Sequence, residues 1–131
     1  MKLVDTSLWV EFLRRKGDAQ IKNLMGQWLQ DDLIAYTCPI QFELLCGVRS
    51  NERSDLDAAL KFSHHLPFRT ADWVAAAELE ARFKSKGLNI PRNDLFVAVV
   101  AIRESLPLCC RDQHFSAMSK ICGEQLKVEQ Y

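Results

Sequence analysis

The sequence predicts an α/β fold, in which a single three-layer domain has a mostly parallel, roughly five-stranded central sheet flanked by helices. Short apolar segments alternate with longer amphipathic ones along the chain, a pattern typical of repeated strand–helix units. The length of 131 residues, of which 48% are hydrophobic, suits one domain with one core. Residues 1–131 are therefore expected to form a single unit.

The predicted strands are short runs of apolar residues. The segments are 2–5, 33–37, 65–68, 108–111 and, with the weakest pattern, 126–129. Two amphipathic helices separate the first two strands, because apolar residues recur with helical spacing over 8–13 and again over 21–28.

The remaining segments are predicted as helices from their end signals. Pro39 and Gly47 bracket a short helix that carries Glu43. Residues 56–62 form the next helix, and residues 73–86 form a longer one that Gly87 ends. Asn93 is expected to cap an apolar helix over 94–103, and residues 116–121 give a last short helix.

Composition excludes several classes of protein. The 17 basic and 17 acidic side chains balance, so any nucleic-acid site must be a local patch. Five cysteines at irregular positions contain no CxxC pair for zinc and do not resemble a secreted disulfide framework. Asp5 lies where a signal peptide would need apolar residues, and no stretch is apolar enough to span a membrane. A cytoplasmic location without membrane contact is expected.

Four carboxylates are predicted to meet at one edge of the sheet. Asp5 ends the first strand and Asp112 follows the fourth, and ligands of open parallel sheets bind beyond the carboxyl ends of the strands. Asp94 opens a helix, and Glu43 lies on the helix that leaves the second strand. Each acid alone has an ordinary explanation as a cap, a turn former or a solvated charge.

Together, crowded carboxylates without basic partners would repel one another and raise their pKa values, and a bound divalent cation removes that cost. Oxygen ligands of this kind suit Mg2+, with Mn2+ as the alternative, and do not suit zinc. Such a cation would activate a water and stabilise charge on a phosphodiester during hydrolysis.

Four motifs resemble those of the PIN domains, and the length resembles that of stand-alone ribonuclease toxins of the VapC type. The motifs follow the family's order over nearly the whole chain: Leu3-Val4-Asp5-Thr6-Ser7-Leu8-Trp9, the helix with Glu43, Asn93-Asp94-Leu95, and Arg111-Asp112-Gln113-His114-Phe115. The resemblance implies a metal-dependent endoribonuclease whose catalytic, metal-binding acids are Asp5, Glu43, Asp94 and Asp112. It also implies a cognate antitoxin protein that covers the acidic crevice, and a homodimer.

The resemblance leaves two points of the site open. Thr6 or Ser7 would orient the first carboxylate or a water on the metal, but Ser7 is equally placed to cap the first helix. Ser116 stands where many relatives have another acid, so Asp112 is the single acid of its loop. The number of metal ions is therefore undecided.

Basic side chains near the acids are the candidates for RNA phosphate contacts. They are Arg14, Arg15 and Lys16, Arg49 and Arg53, and Arg92 and Arg111, of which the last two adjoin a predicted metal ligand. His114 is a candidate for a substrate contact or a structural role, whereas His64 and His65, which have no apparent partner in the sequence, are expected to be structural.

The spacing of several apolar residues predicts whether they lie in the core or at a dimer surface. The aromatic residues at helical spacing are interpreted as core, and they are Trp9, Trp28, Phe42, Phe83 and Phe96. Cys109 and Cys110 are also expected to be buried. Helices around Trp28 or Leu44 and Leu45 are candidate dimer surfaces.

Alternative functions differ in the acids and loops that they need. An aspartyl-phosphate enzyme would need a second acid at position 7, and no phosphate-binding glycine loop is present. The alternative that stays open is a catalytically silent module of the same fold that binds RNA or another protein.

Overall fold

The computed structural model describes all residues from 1 to 131 and contains one five-stranded sheet in which every pair of neighbours is parallel. The strands are β1 (Lys2–Val4), β2 (Ile34–Thr37), β3 (His64–Leu66), β4 (Leu108–Cys110) and β5 (Val128–Gln130). Their order across the sheet is β3-β2-β1-β4-β5. The predicted α/β class with a parallel five-stranded sheet is confirmed.

Seven α-helices connect the strands. They are α1 (Thr6–Leu13), α2 (Ala19–Gln30), α3 (Cys38–Gly47), α4 (Arg53–Lys61), α5 (Thr70–Ser85), α6 (Arg92–Glu104) and α7 (Gln113–Cys122). A short 3-10 helix, Gly123–Gln125, precedes β5. None of these helices combines the length and the apolar character needed to cross a membrane.

The centre of the sheet lies at β1 and β4, which are buried by helices. Leu3 pairs with Leu108 and Val4 with Cys109, and all four residues are fully buried. The chain leaves β1 toward β2 and β3 and later returns to the other side of β1 as β4, so the strand order reverses between β1 and β4. A crevice opens beyond the carboxyl ends of the strands at such a reversal.

Several predicted element ends are corrected by the structure. The last strand begins two residues later than predicted, and α7 begins three residues earlier because Asp112 accepts the His114 N–H as the helix cap. Pro91, and not Asn93, is the N-cap of α6, and the Asn93 side chain is used elsewhere. Gly87 has φ +75° just after α5, in agreement with its predicted role as the stop.

The core contains most of the aromatic residues assigned to it. Trp9 and Phe83 are buried, and Phe96 is partly buried against Phe68 and Trp73. The assignment of Phe42 was wrong, because 64% of its surface is exposed on α3.

The expected dimer surfaces are also corrected. Trp28 and Leu44 belong to the buried core of this chain, since Trp28 packs edge-on against Tyr131 and Leu44 lies on the inner face of α3. Leu45, the next residue, is 38% exposed. Of the residues proposed for that role, Leu45 alone presents an apolar side chain to solvent.

Candidate metal centre

Four acidic residues lie at the carboxyl end of the sheet around the point where the strand order reverses. Asp5 directly follows β1 and Asp112 comes two residues after β4, while Glu43 lies on α3 and Asp94 in the first turn of α6. The Asp5 N–H donates to the carbonyl of Cys109 in β4, which extends the β1–β4 ladder to the first acid. The acids therefore come from four different segments of the chain.

Asp5 is a buried carboxylate held by the next helix. Its Oδ2 accepts hydrogen bonds from the Ser7 backbone N–H at 3.0 Å and from the Ser7 hydroxyl at 2.6 Å. Burial raises the pKa of Asp5, the Ser7 hydrogen bonds oppose that rise, and the charges of Glu43 and Asp112 add to it. Glu43 and Asp112 therefore lie close enough to Asp5 for their charges to raise its pKa.

Asp94 and Asp112 share a histidine. His114 Nδ1 lies 2.9 Å from Asp94 Oδ2 and 3.2 Å from Asp112 Oδ1. Burial raises the pKa of Asp94 to about 6, the hydrogen bond with His114 lowers it, and the charges of Asp112 and Asp5 raise it further. One ligating atom from each of Asp94, Asp112 and His114 lies within 4.8 Å of the others.

Glu43 is positioned by Asn93, whose place in the sequence predicts a helix cap instead. Asn93 Nδ2 donates to Glu43 Oε1 at 2.9 Å, which joins α6 to α3. The signal for this partner was its place next to Asp94, one residue before a predicted ligand. Asparagine next to a helix start is so common as a cap that the sequence alone favoured the wrong role.

Each of the four acids keeps one oxygen without a hydrogen-bond donor from the protein. The bonded atoms are Asp5 Oδ2, Glu43 Oε1, Asp94 Oδ2 and Asp112 Oδ1, and the second oxygen of each carboxylate makes no such bond. No lysine or arginine forms a salt bridge with any of the four. Oxygen donors at this density, uncompensated by fixed cations, fit a hard divalent cation such as Mg2+ or Mn2+.

Ser7 and Thr6 differ in what their hydroxyls do. Ser7 Oγ donates to Asp5 and accepts the backbone N–H of Arg111 at 2.9 Å, so it connects the loops after β1 and β4. The cap of α1 is Asp5 itself. Thr6 Oγ1 is buried without a hydrogen-bond partner. Of the two, Ser7 is the one that orients the first carboxylate in this structure.

Arg111 extends away from the acids. Its guanidinium lies 2.6 Å from Asp18 Oδ2 and 3.8 Å from Glu11 Oε1, and its Nε donates to the carbonyl of Tyr131. The hydrogen bond from Arg111 is the largest of the effects that lower the pKa of Asp18. The structure therefore places Arg111 in a surface network that joins the start of α2 to the end of β4.

The other predicted cations lie in three different places. Arg92 is exposed beside Asp94 and lies 3.6 Å from Glu80. Arg14, Arg15, Lys16 and Arg49 instead line a groove between α1, α2 and α4, which lies beyond the opposite end of α1 from Asp5. Arg53 pairs with Asp57 on the outer surface of α4.

The remaining histidines and cysteines lie outside the acid cluster. The sequence indicated no partner for His64 or His65, but His64 Nε2 lies 2.9 Å from Asp32 and His65 stacks on Tyr36. Cys109 and Cys110 are fully buried as expected, and burial raises the pKa of each thiol to about 12.

Comparison with known proteins identifies the class. The family model of the PIN domain matches residues 2–121, so the chain belongs to the PIN domain family. Within that family it is similar to the VapC ribonuclease Mb1587 of Mycobacterium bovis, with 29% identity over 95% of this chain and 96% of that protein.

Solved structures share the fold over the whole chain. The structure of VapBC2 from Rickettsia felis, bound to a DNA fragment from its promoter, has a TM-score of 0.81 and 23% identity, and covers 99% of this chain and 98% of that one. VapBC-5 from Mycobacterium tuberculosis, a member of the VapBC family of toxin-antitoxin systems, has a TM-score of 0.66 and 20% identity with the same coverage.

Proposed function

We propose that this protein is a divalent-metal-dependent endoribonuclease of the VapC type, the toxin of a toxin–antitoxin pair. One observation carries the proposal: four carboxylates from four segments meet where the strand order reverses, each with an oxygen free for a cation and none paired with lysine or arginine. The similarity to a VapC ribonuclease over the whole chain supports RNA as the substrate.

Asp5, Glu43, Asp94 and Asp112 would hold the cation, Mg2+ or Mn2+. A bound cation would supply a lowered pKa for an attacking water and charge neutralisation on the scissile phosphate. The protein's own part is positioning. Ser7 fixes the Asp5 carboxylate, Asn93 fixes that of Glu43, and burial of Asp5 limits its access to bulk water.

Arg92 is the cation best placed for an RNA phosphate near the acids. Arg92 comes two residues before Asp94, its side chain is largely exposed, and its guanidinium lies 3.6 Å from Glu80, so that ion pair costs little to break. Arg111 would stabilise the loop after β4 and would not contact substrate, since Asp18 and Glu11 already surround its guanidinium.

An antitoxin partner would have a suitable docking surface in the groove between α1, α2 and α4. The groove has a volume of about 1250 Å3, with apolar walls that include Phe12, Leu29 and Phe62. Basic side chains outnumber acidic ones in the groove, which is lined by Arg14, Arg15, Lys16, Lys22 and Arg49 and by Glu52 and Asp55. An amphipathic antitoxin segment with acidic residues would match both features. A continuation of that segment across the acid cluster would block the site.

We also propose a homodimer, but through a different surface from the helices around Trp28 or Leu44, because those two residues are buried in the core. Apart from Phe62 in the groove, the large apolar side chains that helices expose are Phe42 and Leu45 on α3 and Trp73 and Val74 at the start of α5. Because exposed large apolar residues favour burial against a partner, Trp73→Glu is expected to lower the molar mass measured by light scattering from dimer to monomer. An unchanged mass would remove this surface from the proposal.

The test of the nuclease is cleavage of a mixed RNA pool by purified protein that is free of antitoxin. The reactions contain Mg2+, Mn2+ or EDTA, with Asp94→Ala as the inactive variant. Asp55→Ala is the matched control, because Asp55 is also a first-turn helix acid but lies on α4 outside the acid cluster. Cutting that needs metal, persists in the control and disappears in Asp94→Ala is expected.

Cutting in EDTA, or by Asp94→Ala, would contradict the proposed mechanism. Folded wild-type protein that cuts no RNA with either metal would favour the alternative of a silent binding module.

A further inference from the structure

We propose that His114 Nδ1 is a direct ligand of the cation, which makes the centre a mixed nitrogen and oxygen site that favours Mn2+ over Mg2+. The inference rests on the proposed function, because it concerns the cation that the four acids would hold. It differs from both the substrate contact and the structural role that the sequence leaves open for His114.

The positions of the atoms suit coordination. His114 Nδ1 is 2.9 Å from Asp94 Oδ2 and 3.2 Å from Asp112 Oδ1. In an octahedral site with metal–ligand distances of about 2.1 Å, adjacent ligand atoms are roughly 3 Å apart. The imidazole nitrogen thus has this spacing from each of the two carboxylate oxygens, and the three atoms lie within 4.8 Å of one another.

The local backbone holds the imidazole in place. His114 is the second residue of α7, and its N–H donates to Asp112 Oδ1 at 2.8 Å, so the cap of the helix sets the relation between the two residues. The next residue, Phe115, is fully buried and anchors the helix start in the core. The ring therefore approaches the acids from a fixed point on the solvent side.

Cation binding would replace the hydrogen bond between His114 Nδ1 and Asp94 with a bond from Nδ1 to the metal. Without a cation, the contact of Nδ1 with an ionised Asp94 Oδ2 needs a proton on Nδ1, because a carboxylate oxygen only accepts. Binding needs the tautomer with its proton on Nε2, in which the Nδ1 lone pair is donated to the metal. The Nδ1 proton is released to solvent when the cation binds, and the neutral ring then carries its single proton on Nε2.

The donor set predicts the metal preference. Imidazole nitrogen suits the transition metals, whereas Mg2+ strongly prefers oxygen ligands and water. Replacing His114 should therefore weaken Mn2+ binding by about tenfold or more and change Mg2+ binding much less. Calorimetric titration of wild-type and His114→Gln protein with each metal measures this difference without any substrate.

Pulsed electron paramagnetic resonance of the frozen Mn2+ complex tests the bond itself. The protein must carry no histidine tag, since the chain has three histidines in all. The wild type should give the modulation of a directly bound imidazole nitrogen, and His114→Gln should lose it. The double variant His64→Gln/His65→Gln is the matched control and should keep it, because these side chains contact Asp32 and Cys38 away from the site.

The outcomes separate this inference from the proposed function. Mn2+ that binds the wild type without nitrogen modulation, or with modulation that persists in His114→Gln, overturns the His114 ligand and leaves the acid centre standing. Failure of the folded wild type to bind Mn2+ or Mg2+ overturns the metal-dependent function and the ligand together. Loss of modulation in His114→Gln alone supports the proposal.

Discussion

Asn93 donates a hydrogen bond from Nδ2 to Oε1 of Glu43 across 2.9 Å, and it thereby connects the first turn of α6 to the middle of α3. Glu43 makes no other hydrogen bond through its side chain and no salt bridge. Its orientation toward Asp5 thus depends on one amide. Partners of this kind typically change metal affinity by 10–100-fold when they are removed.

Asn93→Ala is expected to raise the Kd for Mn2+ by about tenfold or more, because Glu43 loses its fixed orientation. Calorimetric titration measures the change. Asn23→Ala is the control, since Asn23 is an exposed asparagine on α2 far from α6 in the sequence. Equal Mn2+ affinity in both variants and the wild type would show that Asn93 does not position Glu43.

Asp94→Asn is expected to stabilise the metal-free protein at alkaline pH. Burial raises the pKa of Asp94 to about 6 from 3.8, so its favourable contribution is complete below the unfolded value and is lost as the pH rises through about 6. Asparagine carries no charge and can still accept the hydrogen bond from His114. The gain at about pH 8 should be about 1–2 kcal/mol after allowance for solvent screening.

Thermal unfolding in EDTA between about pH 4 and about pH 8 measures this gain. The advantage of Asp94→Asn should shrink toward the acidic end, where wild-type Asp94 is protonated. Asp55→Asn on the exposed face of α4 should give no such pH-dependent gain. An Asp94→Asn protein that is less stable than the wild type at alkaline pH would contradict the crowding of the carboxylates.

Arg92→Ala should reduce the salt dependence of RNA binding, whereas Arg111→Ala should leave it unchanged. A phosphate contact releases counterions when it forms, and the guanidinium of Arg111 is already occupied by Asp18. Filter binding in EDTA at several salt concentrations measures both slopes. A reduced slope in Arg111→Ala would return that residue to the substrate contacts.

Arg111→Ala should instead lower stability at neutral pH. Its hydrogen bond holds the pKa of Asp18 below the usual range, a contribution that is present above the unfolded value of 3.8 and is lost as the pH falls through the folded value. The difference in Tm between Arg111→Ala and the wild type should therefore shrink in acid.

Alkylation should distinguish the cysteines by burial. Cys46 is exposed, whereas burial raises the pKa of Cys109 and Cys110 to about 12. Mass mapping after brief treatment with iodoacetamide should find Cys46 modified, with Cys109 and Cys110 modified only after unfolding. Early modification of either strand cysteine would mean that β4 is more accessible than the structure indicates.

The sequence predicted the sheet well because β1 and β4 are short apolar runs that are buried by helices on both sides. It also predicted which acids follow those strands, since an aspartate after an apolar strand is visible in the chain. Element ends were less predictable where two residues compete for one role, as Pro91 and Asn93 do at the start of α6.

Pairs distant in the chain could not be predicted. Glu43 and Asn93 are 50 residues apart, and Arg111 and Asp18 are 93 apart. Arg111 adjoins Asp112 in the sequence, yet its side chain extends toward α2 because it pairs there with Asp18. Neighbouring residues that extend from the end of a strand take different directions, so adjacency alone favoured the wrong partner.

The most direct test of the acid cluster as a metal centre is anomalous diffraction from a crystal soaked in Mn2+. We expect a peak within coordination distance of Asp5, Asp94 and Asp112, at about 2.0–2.3 Å from their oxygens, and no peak there in Asp94→Ala crystals. A peak elsewhere on the surface, or none at saturating Mn2+ in a crystal whose lattice leaves the crevice open, would contradict the account.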